Sequence, residues 1–239
     1  MEHETTRIFP ERKHFPLPSL AAVRPNYRRA EYSTMFRDRT DAGERLADAL
    51  AQRGVEADVV LAIPRGGLPL GRIVADRLDV PLDVVVAKKI GAPHNPELAI
   101  GAVAENGALW LNQSLIDNVG VHEQYVEDER AAVSEAASEK ARRYRQGPSP
   151  DLSGKRVVVV DDGVATGATM RACLQHVRDE RPASVVVAVP VGPRDSIEEL
   201  REFADEVVAL ETPGAFSAVG AYFENFDQVS DAEAKAYLH

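Results

Sequence analysis

Two adjacent carboxylates, Asp161 and Asp162, stand directly behind four consecutive valines and directly before Gly163-Val164-Ala165-Thr166-Gly167-Ala168-Thr169. Valines at 157 to 160 read as a strand buried on both faces, because β-branched side chains pack well on a pleated surface and no polar residue marks a solvent side. The small residues that follow leave backbone N–H groups free at the start of the helical run Met170-Arg171-Ala172-Cys173-Leu174, where aligned peptide dipoles favour negative charge. Hydroxyls of Thr166 and Thr169 add donors. Such a loop suits phosphate. The two carboxylates would repel a phosphate in direct contact, so they suit sugar hydroxyls or a metal ion on the same ligand. The chemistry implied is that of a phosphorylated sugar; a plain strand-to-helix turn capped by Asp162 is the alternative. The Gly-Lys-Ser/Thr ending of a Walker loop and the Gly-x-Gly-x-x-Gly of a dinucleotide-binding turn are both absent from this stretch.

A second loop has related chemistry. Asp58-Val59-Val60-Leu61-Ala62-Ile63 reads as a buried strand that breaks at Pro64-Arg65-Gly66-Gly67. Two glycines let backbone N–H groups approach a ligand closely, and the forked guanidinium of Arg65 can bind phosphate oxygens in pairs, although the same four residues also fit a plain turn. The chain has six lysines against twenty-two arginines, so the adjacent Lys88 and Lys89 stand out. They end a second strand, read over 81–87, and precede Ile90-Gly91-Ala92-Pro93-His94-Asn95-Pro96-Glu97, whose Gly, Pro and Asn content reads as a mobile, lid-like loop. The lysines are either charges for an anion or a solvated pair, and His94 is either a general base or incidental.

An apolar strand, Asp-Asp, Gly, two small residues and Thr-Gly-x-Thr together resemble the phosphoribosyl pyrophosphate (PRPP) motif of the type I phosphoribosyltransferases. That resemblance implies that Asp161 and Asp162 bind the ribose hydroxyls and that the loop from Gly163 to Thr169 wraps the 5-phosphate. It further implies that Arg65, Gly66, Gly67 and Lys88 bind pyrophosphate, in a loop that often carries a cis peptide in this family. Lys88 and Lys89 would neutralise the leaving group as a lid closes, which makes them, with the acidic pair, the catalytic candidates. Mg²⁺ is the implied cofactor, held through PRPP, with Asp161 or Asp162 touching it directly or through water. The implied reaction moves the phosphoribosyl group to a small nitrogenous acceptor, a nucleobase by resemblance. A non-catalytic PRPP-binding regulator is the other reading, although no helix-turn-helix or basic stripe is evident. Phe36-Arg37-Asp38-Arg39, Ile63-Pro64-Arg65-Gly66-Gly67 and Asn95-Pro96-Glu97-Leu98-Ala99-Ile100-Gly101 resemble a subgroup described only as predicted phosphoribosyltransferases.

The elements that must position these loops follow from the rest of the chain. With 239 residues, 44% of them apolar, there is enough material for one α/β core and an accessory region. Buried strands alternate with helices, at 41–53, from about 68 to 78, and at 195–204, with further strands at 184–190 and 206–210. The pattern implies a doubly wound, mainly parallel Rossmann-like sheet. The family resemblance implies a core order 3-2-1-4-5, which makes the strands ending at Ile63 and Asp161 neighbours at a switch point. Asn106-Gly107 between apolar runs predicts a hairpin, with Trp110 as packing. Residues 122–146 read as a charged helix with a narrow alanine stripe and a solvated face.

Residues 1–34 read as an extended arm whose Arg24, Arg28 and Arg29 are either solvated or partner contacts; 35–211 form the core, and 212–239 a hood or tail. Phe216, Tyr222 and Phe223 in that tail either wall a planar base or pack on the sheet edge. A net charge of −10, one cysteine and no apolar run of about 18 residues argue against a nucleic-acid surface, an internal disulfide and a membrane span. A cytoplasmic protein, with room for a homodimer, is the expectation.

Overall fold

The computed structural model describes residues 35–145 and 147–238. The expected arm over 1–34, with Arg24, Arg28 and Arg29, lies outside the described residues. In chain order the elements are α1 (Arg39–Gln52), β1 (Val59–Ala62), α2 (Gly67–Leu78), β2 (Leu82–Val84), β3 (Ala87–Ala92), β4 (Asn95–Ala104) and β5 (Leu109–Leu111). They are followed by α3 (Gln113–Val119), α4 (Glu123–Tyr144), β6 (Arg156–Val160), α5 (Ala168–Asp179), β7 (Ser184–Val191), α6 (Arg194–Leu200), β8 (Glu206–Glu211) and α7 (Asp231–Ala236).

The four valines of β6 are fully buried at the centre of a five-stranded parallel sheet of order β2-β1-β6-β7-β8. Their alternation divides the core. Val157 and Val159 pack with Leu174 and Val177 of α5, whereas Val158 and Val160 pack with Leu46 and Leu50 of α1 and Leu70 and Val74 of α2. Helices on both faces make the sheet doubly wound, as its near-continuous apolar strands require. Val59 to Ala62 pair in register with Val157 to Val160, and the Ile63 N–H donates to the Val160 carbonyl at 2.9 Å. The chain therefore leaves β1 and β6 side by side, at Pro64 and Asp161.

Two expectations are corrected. The second strand ends at Val84 rather than Ala87, and among the described residues no strand lies outside β2. Neighbours 2-1-4-5 of the expected order hold, while β8 extends the opposite edge. The chain instead turns out of the parallel sheet and enters an antiparallel sheet of order β3-β4-β5. The expected lid loop at 90–97 is consequently most of a hairpin. Its glycine and proline sit where the pairing slips, at Ile90/Gly91 and Gly91/Ala92, and a Cβ on Gly91 would lie 2.6 Å from the Pro96 backbone. Gly91 thus allows a close approach that a side chain would block.

The Asn106-Gly107 turn joins β4 to β5 as expected, with Gly107 at φ +86 and the Ala104 N–H on the Ala108 carbonyl at 2.8 Å. α3 is an addition to the expected elements; Asn112 caps it by accepting from the Leu115 N–H at 3.0 Å. α4 buries Val126, Ala137, Ala141 and Tyr144. The tail returns to the start of the described chain. Phe36 bridges Phe223, and the Met35 and Phe36 N–H groups both donate to the Tyr222 carbonyl. No described helix is long and apolar enough to cross a membrane.

Candidate active site

The β6–α5 loop is shaped by what holds its carbonyls. Ser196 donates its hydroxyl to the Ala165 carbonyl at 2.7 Å, and Arg171 donates to the Thr166 carbonyl at 3.0 Å. With those carbonyls engaged behind the loop, the N–H groups from Ala165 to Thr169 donate to no protein acceptor among the described residues, and no side chain caps α5. Gly167 takes φ +76, a conformation in which glycine is unstrained. In front of the loop lies a cavity of about 140 Å³, lined by Asp161, residues 163–169 and Met170. An uncapped helix N-terminus, free amides and two threonine hydroxyls around a small cavity form an anion cradle.

The β1–α2 loop presses against the acidic pair. A Cβ on Gly66 would fall 2.0 Å from Asp162 Oδ2, and one on Gly67 would fall 2.7 Å from the Val160 carbonyl. Only glycine permits this contact. The Pro64–Arg65 peptide is cis, as the resemblance implies for a pyrophosphate loop. Arg65 Nη1 lies 3.3 Å from Asp231 Oδ1 at the start of α7, and Tyr144 donates its hydroxyl to that same oxygen at 2.7 Å. Burial and this bond push the Tyr144 hydroxyl up to about 12, so it remains a donor. Lys140 of α4 reaches in from the other side and donates to the Pro64 carbonyl at 2.7 Å.

Charge at the floor of the crevice is only partly balanced. Asp162 Oδ2 accepts from Arg39 Nε and faces Arg39 Nη2, both at 2.8 Å, while the same guanidinium lies 3.8 Å from the centroid of Phe226. Asp161 has no such partner among the described residues. Burial, and then the charge of Asp162, push its carboxyl well above the usual range. Burial also raises Asp162 against the pull of Arg39. Two carboxyls whose charged forms are disfavoured are suited to a ligand that brings hydroxyl donors or a cation.

Not every expected residue converges on this crevice. Lys88 and Lys89 are successive residues of β3, so they point to opposite faces. Lys88 acts electrostatically on Lys140, whereas Lys89 pairs with Glu97 at 2.8 Å on the hairpin surface. His94 is exposed at the hairpin tip. Tyr222 and Phe223 are buried in the core beside α1 and α2, and Phe216, stacked on Tyr222 at 5.5 Å, retains some open surface. Trp110 packs as expected, with Arg171 Cζ 4.6 Å from its ring centroid.

Several residues enter the site without having been singled out from the sequence, among them Arg39, Arg171, Ser196 and Lys140. Arg39 lies within a quoted resemblance, and Arg171 one residue beyond the loop's Thr169-Met170. Lys140 belongs by sequence to a solvated face and carries no local signal.

Residues 37–224 match the phosphoribosyl transferase domain family. The chain is 48% identical to the protein TT1426 from Thermus thermophilus, whose crystal structure superposes with a TM-score of 0.72 over 85% of this chain and 97% of that one. It is 44% identical over 206 residues to a Mycobacterium tuberculosis protein provisionally named a phosphoribosyl transferase, covering 85% of this chain and 46% of that protein. The chain thus spans about half the length of that curated relative. A hypoxanthine/guanine phosphoribosyltransferase of Methanothrix soehngenii is 22% identical over 159 residues, covering 63% of this chain and 65% of that protein. With a domain match running from just ahead of α1 into the tail, and a parallel sheet that brings the Asp161-Asp162 loop against Arg65-Gly66-Gly67, the chain belongs to the phosphoribosyl transferase family.

Proposed function

We propose that this chain transfers the 5-phosphoribosyl group of PRPP to a nitrogen nucleophile, a nucleobase, and releases pyrophosphate. The observation that carries this reading is the contact between the two loops: Gly66 and Gly67 lie against Asp162 and Asp161, so anions held on the two loops would lie on either side of the acidic pair. In the reaction the bond from the anomeric carbon to the pyrophosphate oxygen breaks, and its electrons leave with pyrophosphate. A bond forms to the acceptor nitrogen, which gives up its proton.

The residues divide the work by position. Free amides from Ala165 to Thr169 would hold the 5-phosphate, with Arg171 and Ser196 fixing the loop from behind. Asp161 and Asp162 would accept from the ribose hydroxyls, Arg39 keeping Asp162 oriented. Arg65, the amides of Gly66 and Gly67, and Lys88 would hold the pyrophosphate and stabilise charge as it develops. Lys88 rather than Lys89 takes this part, because Lys89 is tied to Glu97 on the other face. Phe216, the least buried of the three hood aromatics, is the candidate for base contact.

The donor set suits Mg²⁺ held largely by the substrate. No group of three metal-ligating side chains exists among the described residues, whereas Asp161 is a carboxyl lacking a positive partner, and Mg²⁺ commonly combines one or two carboxylates with phosphate oxygens and water. When bound, the ion would neutralise charge on the departing pyrophosphate.

Turnover tests the reading. Protein incubated with PRPP and Mg²⁺ should release pyrophosphate only when a suitable purine, pyrimidine or other nitrogen nucleophile is added. Tight PRPP binding with no release from any acceptor would replace transfer with regulation.

A further inference from the structure

Lys140 belongs to a helix whose charges read as solvent-facing, yet its side chain turns inward to the Pro64 carbonyl, 2.7 Å away. An ammonium has three donors, and the other two have no protein acceptor among the described residues. Burial disfavours its charge, the charges of Arg65 and Lys88 disfavour it further, and Asp161 opposes them. Lys140 from α4 thus meets the β1–α2 loop that carries Arg65, and the charge of Lys88, exposed on β3, is felt there. Asp231 partly balances Arg65 at the rim, at 3.3 Å. Like charges gathered in partly buried surroundings destabilise a protein unless an anion joins them. A pyrophosphate group would bring several negative charges to this end of the crevice, where Gly66 and Gly67 already permit close backbone approach.

Resting on the phosphoribosyl transfer reading, we infer that Lys140 is a third cationic contact for the pyrophosphate group of the donor substrate. Its bond to Pro64 also holds residues 64–67 in position to receive that group. α4 then serves the site as well as the fold: the helix that buries Ala137 and Ala141 against the core carries the cation between them.

The test is calorimetric titration of the folded chain, in Mg²⁺, with pyrophosphate and separately with ribose 5-phosphate. K140M should weaken pyrophosphate binding by about tenfold or more, the usual scale for losing a hydrogen bond to a charged group, and leave ribose 5-phosphate within about twofold. K140R, which keeps charge and donors, should restore most of the pyrophosphate affinity. If K140M does not fold, K140Q carries the same comparison, since it keeps a donor for Pro64 without the charge. Unchanged pyrophosphate affinity in a folded neutral variant, or equal loss of both ligands, overturns the role of Lys140 and leaves the transfer reading standing. Failure of the unmutated chain to bind either ligand overturns both.

Discussion

At its leading end β6 begins with Arg156, which is gripped by Asp58 just ahead of β1: Arg156 Nη2 lies 2.8 Å from Asp58 Oδ1, and the Arg156 backbone N–H donates to Oδ2 at 2.8 Å. At its trailing end the same strand delivers Asp161, a carboxyl with no positive partner in contact among the described residues and Asp162 beside it. The bonds from Arg156 hold the Asp58 carboxyl down to about 2, whereas burial and the neighbouring carboxylate push Asp161 well up. One end of the strand pairs its charges within the chain. The other leaves charge for something outside the chain to complete, and such uncompensated groups mark functional sites more often than structural ones.

That contrast is broken most sharply at Asp161. D161N should lower phosphoribosyl transfer by about 10²–10³-fold, the scale of removing one preorganised electrostatic group. It should at the same time raise the urea midpoint at pH 7. The folded pKa of Asp161 lies above its unfolded value, so ionisation opposes folding once the pH exceeds the unfolded value, and a neutral amide removes that opposition. Normal turnover, or a lower midpoint, would place Asp161 with the structural charges.

Gly66 sharpens the comparison by separating contact from charge. In G66A the new methyl would meet Asp162 Oδ2 at 2.0 Å, so the two loops must part. PRPP affinity should fall by about tenfold and stability by about 1–3 kcal/mol, the range for overpacking a tight contact. Binding and denaturation measured on the same sample check both, and unchanged PRPP affinity would show that the loops act independently.

The smallest effect is expected at the paired end. D58N should leave turnover within about twofold and lower the urea midpoint at pH 7. A carboxyl depressed from 3.8 to about 2 stabilises the fold fully above 3.8 and loses that contribution as pH falls through about 2. The gap between D58N and the unmutated chain should therefore close over that window. A gap that persists below it would mean that Asp58 acts by packing.

The same division explains what could be read from the sequence. The four valines, the Asp-Asp pair and the small-residue turn are local signals, and each element they specify is present. The neighbourhood of β1 and β6 followed from the strand order that the family resemblance implies. The antiparallel hairpin was missed because Gly91, Pro93 and Pro96 are loop residues by local chemistry, whereas here they occupy the turn and an irregular stretch of pairing that tertiary contact with Tyr125 and α4 supports. Lys140 was unreadable for a related reason. In a helix of mixed charge nothing local distinguishes a lysine facing water from one facing the Pro64 carbonyl; that depends on where α4 packs. The tail's aromatics were ambiguous between wall and core, and Tyr222 and Phe223 went to the core because the segment at Phe36 pairs with them.

Calorimetry with PRPP, ribose 5-phosphate and pyrophosphate, each in Mg²⁺, addresses the pairing of the two loops most directly. A single site spanning both should bind PRPP at least about a hundredfold more tightly than either fragment, because linking two anions makes the second contact intramolecular. PRPP binding no tighter than that of the better fragment would contradict a joined two-anion site.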